Sequence, residues 1–172
     1  MDESGAVAVG LLGMGVVGSG VAHVMQNEAE QIARRAGCPV YIKGILIKDT
    51  AKRRDSDIPP GLLTNRPEDL LGDPEIDIVI ELIGGEQPSL GLIQKAITQG
   101  KNVVTANKEL MAKHGPELLM LARDRGVSLH YEASVGGGIP IIGPLTKDLL
   151  ANDIYSIHAI INGTTNYILT RM

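Results

Sequence analysis

Val9-Gly10-Leu11-Leu12-Gly13-Met14-Gly15-Val16-Val17-Gly18 decides how this chain folds. Ala6 to Leu12 is a short apolar run stopped by glycine, and it reads as a buried strand. From Gly15 to about Ala36 the pattern turns helical, with Val17, Val21, Val24, Met25 and Ile32 on roughly one face. Three glycines spaced Gly-x-Gly-x-x-Gly at a strand-to-helix junction form the fingerprint of a dinucleotide site. Gly13 permits the tight turn, Gly15 lets backbone approach a pyrophosphate, and Gly18 lets the helix pack close to the sheet. Amides at the helix N-terminus then face phosphate, and the helix dipole favours its charge. The candidate cofactor contacts here are Gly13, Met14, Gly15, Val16, Val17 and Gly18. The alternative is a glycine-rich turn with no ligand, so the surrounding pattern carries weight.

That pattern alternates. Gly37-Cys38-Pro39 ends the first helix, and Val40 to Ile47 is a second strand. Lys48 to Arg66 is polar, contains Pro59-Pro60-Gly61, and reads as a loop. Pro67 to Leu71 is a short helix with proline in its first turn. Strands follow at Ile76 to Ile83, Asn102 to Thr105 and Val127 to Tyr131. Helices lie between them at Pro88 to Gln99 and Asn107 to Arg125, the latter interrupted near Gly115-Pro116. This β-α-β order predicts an α/β fold, a Rossmann-type doubly wound parallel sheet. Ala133 to Pro144 is rich in Gly and Pro and reads as a junction. Beyond it lie a helix at Leu145 to Leu150, an alternating strand at Tyr155 to Ile161, and a turn into a last helix. The expected division is residues 1–135 as a nucleotide-binding domain and 136–172 as the incomplete start of an α+β domain.

Composition narrows the classes. The 172 residues suffice for one well-buried core, and 44% hydrophobic content with 21% charge is ordinary for a soluble globular chain. A net charge of -4 and the near absence of aromatics argue against nucleic acid as a partner. No apolar run approaches the roughly 18–20 residues of a membrane span, and Met1-Asp2-Glu3-Ser4 does not begin a signal peptide. A single cysteine, Cys38, suits a reducing compartment, so a cytoplasmic location is expected. His23, His114, His130 and His158 are scattered without a close pair at metal spacing.

Two further segments carry chemistry. At the end of the second strand an acidic residue selects NAD, whereas basic residues accept the 2′-phosphate of NADP. Lys48 and the Lys52-Arg53-Arg54 cluster favour NADP, with Lys48 and Arg53 the candidate contacts, while Asp49 pulls towards NAD. The competing reading is a solvated charged loop. At Thr105-Ala106-Asn107-Lys108-Glu109 a strand runs into a helix. Asn107 is a good N-cap, and Lys108 sits in the first turn, where its charge opposes the macrodipole. The carboxyl end of a strand is where doubly wound sheets place ligands, so Lys108 can meet a carboxylate or a carbonyl oxygen. A surface lysine beside Glu109 is the alternative. Gly84-Gly85 suits close backbone approach to a cofactor or simply forms a loop.

Five segments together resemble homoserine dehydrogenase. They are Val9 to Gly18, Ile80-Glu81-Leu82-Ile83-Gly84-Gly85, Val103-Val104-Thr105-Ala106-Asn107-Lys108-Glu109-Leu110, Tyr131 to Ile142, and Ile161-Asn162-Gly163-Thr164-Thr165-Asn166-Tyr167-Ile168-Leu169. The resemblance implies an oxidoreductase acting on CH–OH, with NADP or NAD as cofactor. It would interconvert L-homoserine and L-aspartate 4-semialdehyde on the way to threonine and methionine. It adds Ile83, Gly84, Thr105, Ala106 and Lys108 to the cofactor contacts and makes Lys108 a catalytic candidate near the substrate. It also implies a cation site, often sodium, falling on Glu132, Val135, Gly137 and Ile139. Oxygen donors of that kind suit a hard cation. Read from the residues alone, Glu132 is a surface or capping residue. The family is typically a homo-oligomer.

The resemblance departs at the C-terminus, where the family continues into substrate carboxylates, a second lysine that moves the proton, and a return to the nucleotide domain. The chain looks like an N-terminal part cut inside the substrate domain. It is expected to bind cofactor but to lack full activity, and to self-associate through the strand at Tyr155 to Ile161. The rival reading is a stand-alone dinucleotide-binding regulatory module.

Overall fold

The apolar runs become strands because each can bury both faces, and the stretches between them become helices that cover those faces. The computed structural model describes residues 5–49, 58–159 and 163–172. Strands β1 (Val7–Leu12), β2 (Val40–Leu46), β3 (Leu63–Thr64), β4 (Ile78–Glu81), β5 (Asn102–Thr105) and β6 (Leu129–His130) form one sheet in the order β3-β2-β1-β4-β5-β6. Every pairing is parallel. The strand order reverses between β1 and β4, which is the topological switch point of such a sheet.

Period-2 alternation assigns the two faces. Leu11 and Ile45 join Ala22 and Val21 of helix α1 (Val16–Asn27) in one cluster. Leu12, Leu46, Val79 and Val103 face the other way, against Ile93 and Ile97 of α4 (Ser89–Thr98) and Leu110 and Leu118 of α5 (Lys108–Asp124). The helix layer on each face is what makes the sheet doubly wound. Two smaller helices complete the first half, α2 (Ala29–Ala36) and α3 (Glu68–Leu71).

Several expectations need correction. The helix from Gly15 to Ala36 is two helices, parted at Glu28, whose φ of -105° and ψ of 19° leave the helical well. The loop from Lys48 to Arg66 ends in strand β3, which adds a sixth, edge strand beside β2; residues 50–57 lie outside the described residues. No break occurs at Gly115-Pro116, and α5 runs through both. A proline nine positions into a helix forfeits one hydrogen bond, but the buried face of Leu110, Gly115, Leu118 and Ala122 holds the helix together across it.

Beyond the sheet, a short π-helical turn spans Pro144–Asp148 in place of the helix expected at Leu145 to Leu150. The strand expected at Tyr155 to Ile161 is absent over 155–159, which are irregular and exposed; 160–162 lie outside the described residues. Alternation supplies one apolar face but no ladder, and among the described residues no strand pairs with this segment. Helix α6 spans Gly163–Arg171.

Candidate functional site

Gly13 is where β1 leaves the sheet. Its N–H donates to the Leu46 carbonyl at 2.9 Å, and the Leu12 carbonyl accepts from the Leu82 N–H at 2.8 Å, so the turn is fastened to both neighbouring strands. Gly13 has φ of +102°, and a Cβ there would lie 3.0 Å from the backbone of Leu82 and Ile83. Gly18 packs directly on Gly13, so that a Cβ at Gly18 would collide with the Gly13 carbonyl. Gly15 differs: a Cβ there would meet nothing within 4 Å. It is the N-cap of α1, without a side-chain cap and with no acidic residue in the first turn. The opening of this 12-residue helix therefore has no side-chain cap and room beside Gly15, which is the electrostatic setting for an anion.

A cleft of about 600 Å³ begins at this turn. Gly13, Met14 and Gly15 form one wall, Ile47 and Lys48 follow β2, and Leu82 and Ile83 follow β4. Asn65, Pro67 and Pro88 close the far side. The cleft therefore lies at the carboxyl ends of β1, β2 and β4, beside the switch point. It is mostly apolar, with Lys48 the cation on its wall.

A buried polar network adjoins it. Glu81, the last residue of β4, is fully buried. Its Oε1 accepts from the Ile83 N–H at 2.8 Å, the Gly84 N–H at 3.1 Å and the Ser89 hydroxyl at 3.0 Å. Its Oε2 accepts from the Thr105 hydroxyl at 2.7 Å. The Asn107 side chain accepts from the Leu110 N–H at 3.1 Å and so caps α5, while its Nδ2 donates to the Gly85 carbonyl at 2.6 Å. Lys108 follows, exposed, and among the described residues it has no hydrogen-bond or ion-pair partner.

Glu132 begins a short 3-10 turn. Its carboxylate accepts from the backbone N–H groups of Ile141, Ile142 and Gly143 at 2.5, 2.8 and 2.7 Å. Those three bonds hold its carboxyl below the usual glutamate range. Glu132 thus ties its own turn to the backbone of residues 141–143. Three of about four lone-pair positions are used, leaving one for a cation. The intervening loop turns the Ile139 carbonyl over Gly136, where a Cβ would fill the space, and Gly137 has φ of +62°. Glu132, Val135, Gly137 and Ile139 offer oxygen donors only, the donor set of a hard cation.

A family model for the NAD binding domain of homoserine dehydrogenase matches residues 13–132, and a second, for homoserine dehydrogenase, matches 140–172. The chain belongs to the homoserine dehydrogenase family. A homoserine dehydrogenase of Bacillus subtilis is 46% identical over 167 residues, which are 97% of this chain and 39% of that protein. One from Synechocystis is 45% identical over 96% of this chain and 38% of its own length. The crystal structure of the Thiobacillus denitrificans homoserine dehydrogenase superposes with a TM-score of 0.86 at 46% identity, covering 97% of this chain and 38% of that one. The chain thus spans about two-fifths of the length of these relatives.

Against the homoserine dehydrogenase motifs, the structure brings Gly13, Met14, Gly15, Lys48 and Ile83 together around one cleft. Val16 and Val17 follow Gly15 with exposed side chains and are not among the residues lining the cleft, and Gly18 serves packing. Gly84, Thr105, Ala106 and Lys108 lie along the adjoining network rather than on the cleft wall. Arg53 lies outside the described residues. The sequence motifs assign Glu81 no role. Its signal was a carboxylate closing an otherwise apolar strand, Ile78-Val79-Ile80-Glu81, where a parallel sheet buries both faces.

Proposed function

We propose that this chain binds a nicotinamide dinucleotide in the cleft at the β1/β4 switch point and serves the interconversion of L-homoserine and L-aspartate 4-semialdehyde. The observation that carries this reading is the open, uncapped N-terminus of α1 at Gly15, set at the head of the cleft. Amides of Gly15, Val16 and Val17 would take the pyrophosphate, and Lys48 would meet the adenosine ribose or its 2′-phosphate, which favours NADP over NAD. When bound, the nicotinamide supplies the hydride acceptor or donor. Lys108, the first residue of α5 and without a partner among the described residues, would hold the substrate oxygen and stabilise its developing charge. Glu132 and the carbonyls of Val135, Gly137 and Ile139 are the groups that would hold a sodium ion.

The proposed division is a nucleotide-binding domain over 1–135 and the start of a substrate domain over 136–172. By itself the chain is expected to bind cofactor well and to turn over homoserine poorly. The proposed setting is cytoplasmic, in a homo-oligomer on the route to threonine and methionine. Among the described residues, no helix is long and apolar enough to cross a membrane. The test is homoserine-dependent reduction of NADP, measured beside direct NADPH binding. Saturable binding with little turnover is expected, and turnover that survives Lys108→Ala unchanged would remove Lys108 from the reaction.

A further inference from the structure

We propose that Glu81 is the positioning residue that ties the cleft-lining loop at 82–85 to the lysine-bearing start of α5. This rests on the reading of the cleft as a dinucleotide site. The carboxylate is fully buried, and among the described residues it has no lysine, arginine or histidine partner. A buried charge is tolerated only when its lone pairs are satisfied, and an apolar side chain of similar volume would serve packing alone. Glu81 therefore acts through what it fastens. On one side it holds Ile83 and Gly84 by their N–H groups and Ser89, the first residue of α4, by its hydroxyl. On the other it holds the Thr105 hydroxyl.

Thr105 passes the connection on. Its hydroxyl oxygen accepts from the Asn107 N–H at 3.1 Å. Asn107 then reaches back to the Gly85 carbonyl and forward to the Leu110 N–H. The bonds close a ring from Glu81 through Thr105 and Asn107 to the loop that Glu81 itself grips. Gly84 and Gly85 have φ of +80° and +71°, and two adjacent glycines have little conformational preference of their own. The loop takes its shape from these bonds. Its residues Leu82 and Ile83 line the cleft, and Lys108 adjoins Asn107. The cleft wall at Leu82 and Ile83 and the backbone that carries Lys108 are thereby set relative to one another by one carboxylate.

The test pairs amide hydrogen exchange with NADPH titration of this chain as wild type, Glu81→Ala and Glu81→Gln. In Glu81→Ala, exchange at Ile83, Gly84 and Leu110 should rise at least about tenfold while Leu11 and Ile93 in the core stay protected. NADPH should bind at least about tenfold more weakly, as expected when a site loses preorganisation. Glu81→Gln keeps the oxygen that accepts from the loop and should retain the protection at Ile83 and Gly84. Unchanged exchange in Glu81→Ala would overturn the tie, and raised exchange with unchanged NADPH affinity would overturn its service to the cofactor. If wild type fails to bind NADPH while exchange behaves as expected, the dinucleotide reading falls and the tie stands. If Glu81→Ala does not fold, Thr105→Val cuts only the second half of the ring. Exchange at Asn107 and Leu110 should then rise while Ile83 and Gly84 are spared, and an unchanged Asn107 would overturn the proposal.

Discussion

Three glycines in one turn do three different jobs, and substitution separates them. Gly18→Ala drives a Cβ into the Gly13 carbonyl, which neither backbone segment can easily yield. It should cost about 1–3 kcal/mol of stability, as overpacking does, measured by denaturant unfolding. Gly15→Ala meets open space at a φ of -81° that alanine accepts, so stability should change by at most about 1 kcal/mol, the scale of an N-cap change. Its effect should fall on dinucleotide affinity instead, because the methyl would occupy the room left for phosphate. Equal loss of stability in the two variants would contradict this division. The spacing of the glycines made their shared location legible. It could not show which one touches chain and which one faces solvent, since that depends on the approach of Gly18 to Gly13 across the turn.

At the scale of elements, helix starts and strand ends carry the fold's polar economy. Asn107→Ala removes the cap of α5 and the bond to Gly85 together and should cost about 1–2 kcal/mol, the upper range for a capping residue, read from thermal unfolding. At the opposite, amino-terminal end of the sheet, Asp73 pairs with Lys43 at 2.7 Å. That hydrogen bond holds the Asp73 carboxyl below its ordinary range and raises Lys43. A depressed carboxyl contributes stability that is present above the ordinary aspartate range, about pH 4, and is lost as pH falls through the lowered value. The pair is part-exposed, so Asp73→Asn should cost only about 0.5–1 kcal/mol at neutral pH and nothing in strong acid. A loss independent of pH would contradict the assignment.

Sequence periodicity located β1, β2, β4, β5 and α4 well because each is decided by its own apolar pattern against the core. It failed where the deciding partner is remote. Leu63–Thr64 is a strand only because β2 offers it an edge, and Tyr155 to His158 is not one because no described strand pairs with it. Glu81 and Asn107 follow the same rule. Asn107 was legible as a cap, which is local, whereas its bond to Gly85 spans 22 positions.

At the scale of the whole molecule, burial of the half-sheet formed by β4, β5 and β6 differs between its two faces. On the side of α4 and α5 the strand residues Val79, Val103 and Leu129 are buried, whereas Ile78, Ile80 and Val104 on the other side are only half-buried. Apolar side chains further along are more open still: Leu150 is 77% exposed, Tyr155 92% and Leu169 65%. Exposed apolar side chains favour association where they form a contiguous surface. The chain should self-associate with rising concentration in sedimentation velocity, through apolar contact rather than the strand pairing expected from the alternating segment. A monomer at all concentrations would count against it.

The central claim is that the cleft at Gly13 to Gly15 holds a nicotinamide dinucleotide. Titration of this chain with NADPH, followed by cofactor fluorescence and repeated with Gly15→Ala, tests it most directly. Saturable binding that weakens markedly in Gly15→Ala, at nearly unchanged stability, is the predicted result. Absence of saturable binding by a folded wild-type chain would contradict it.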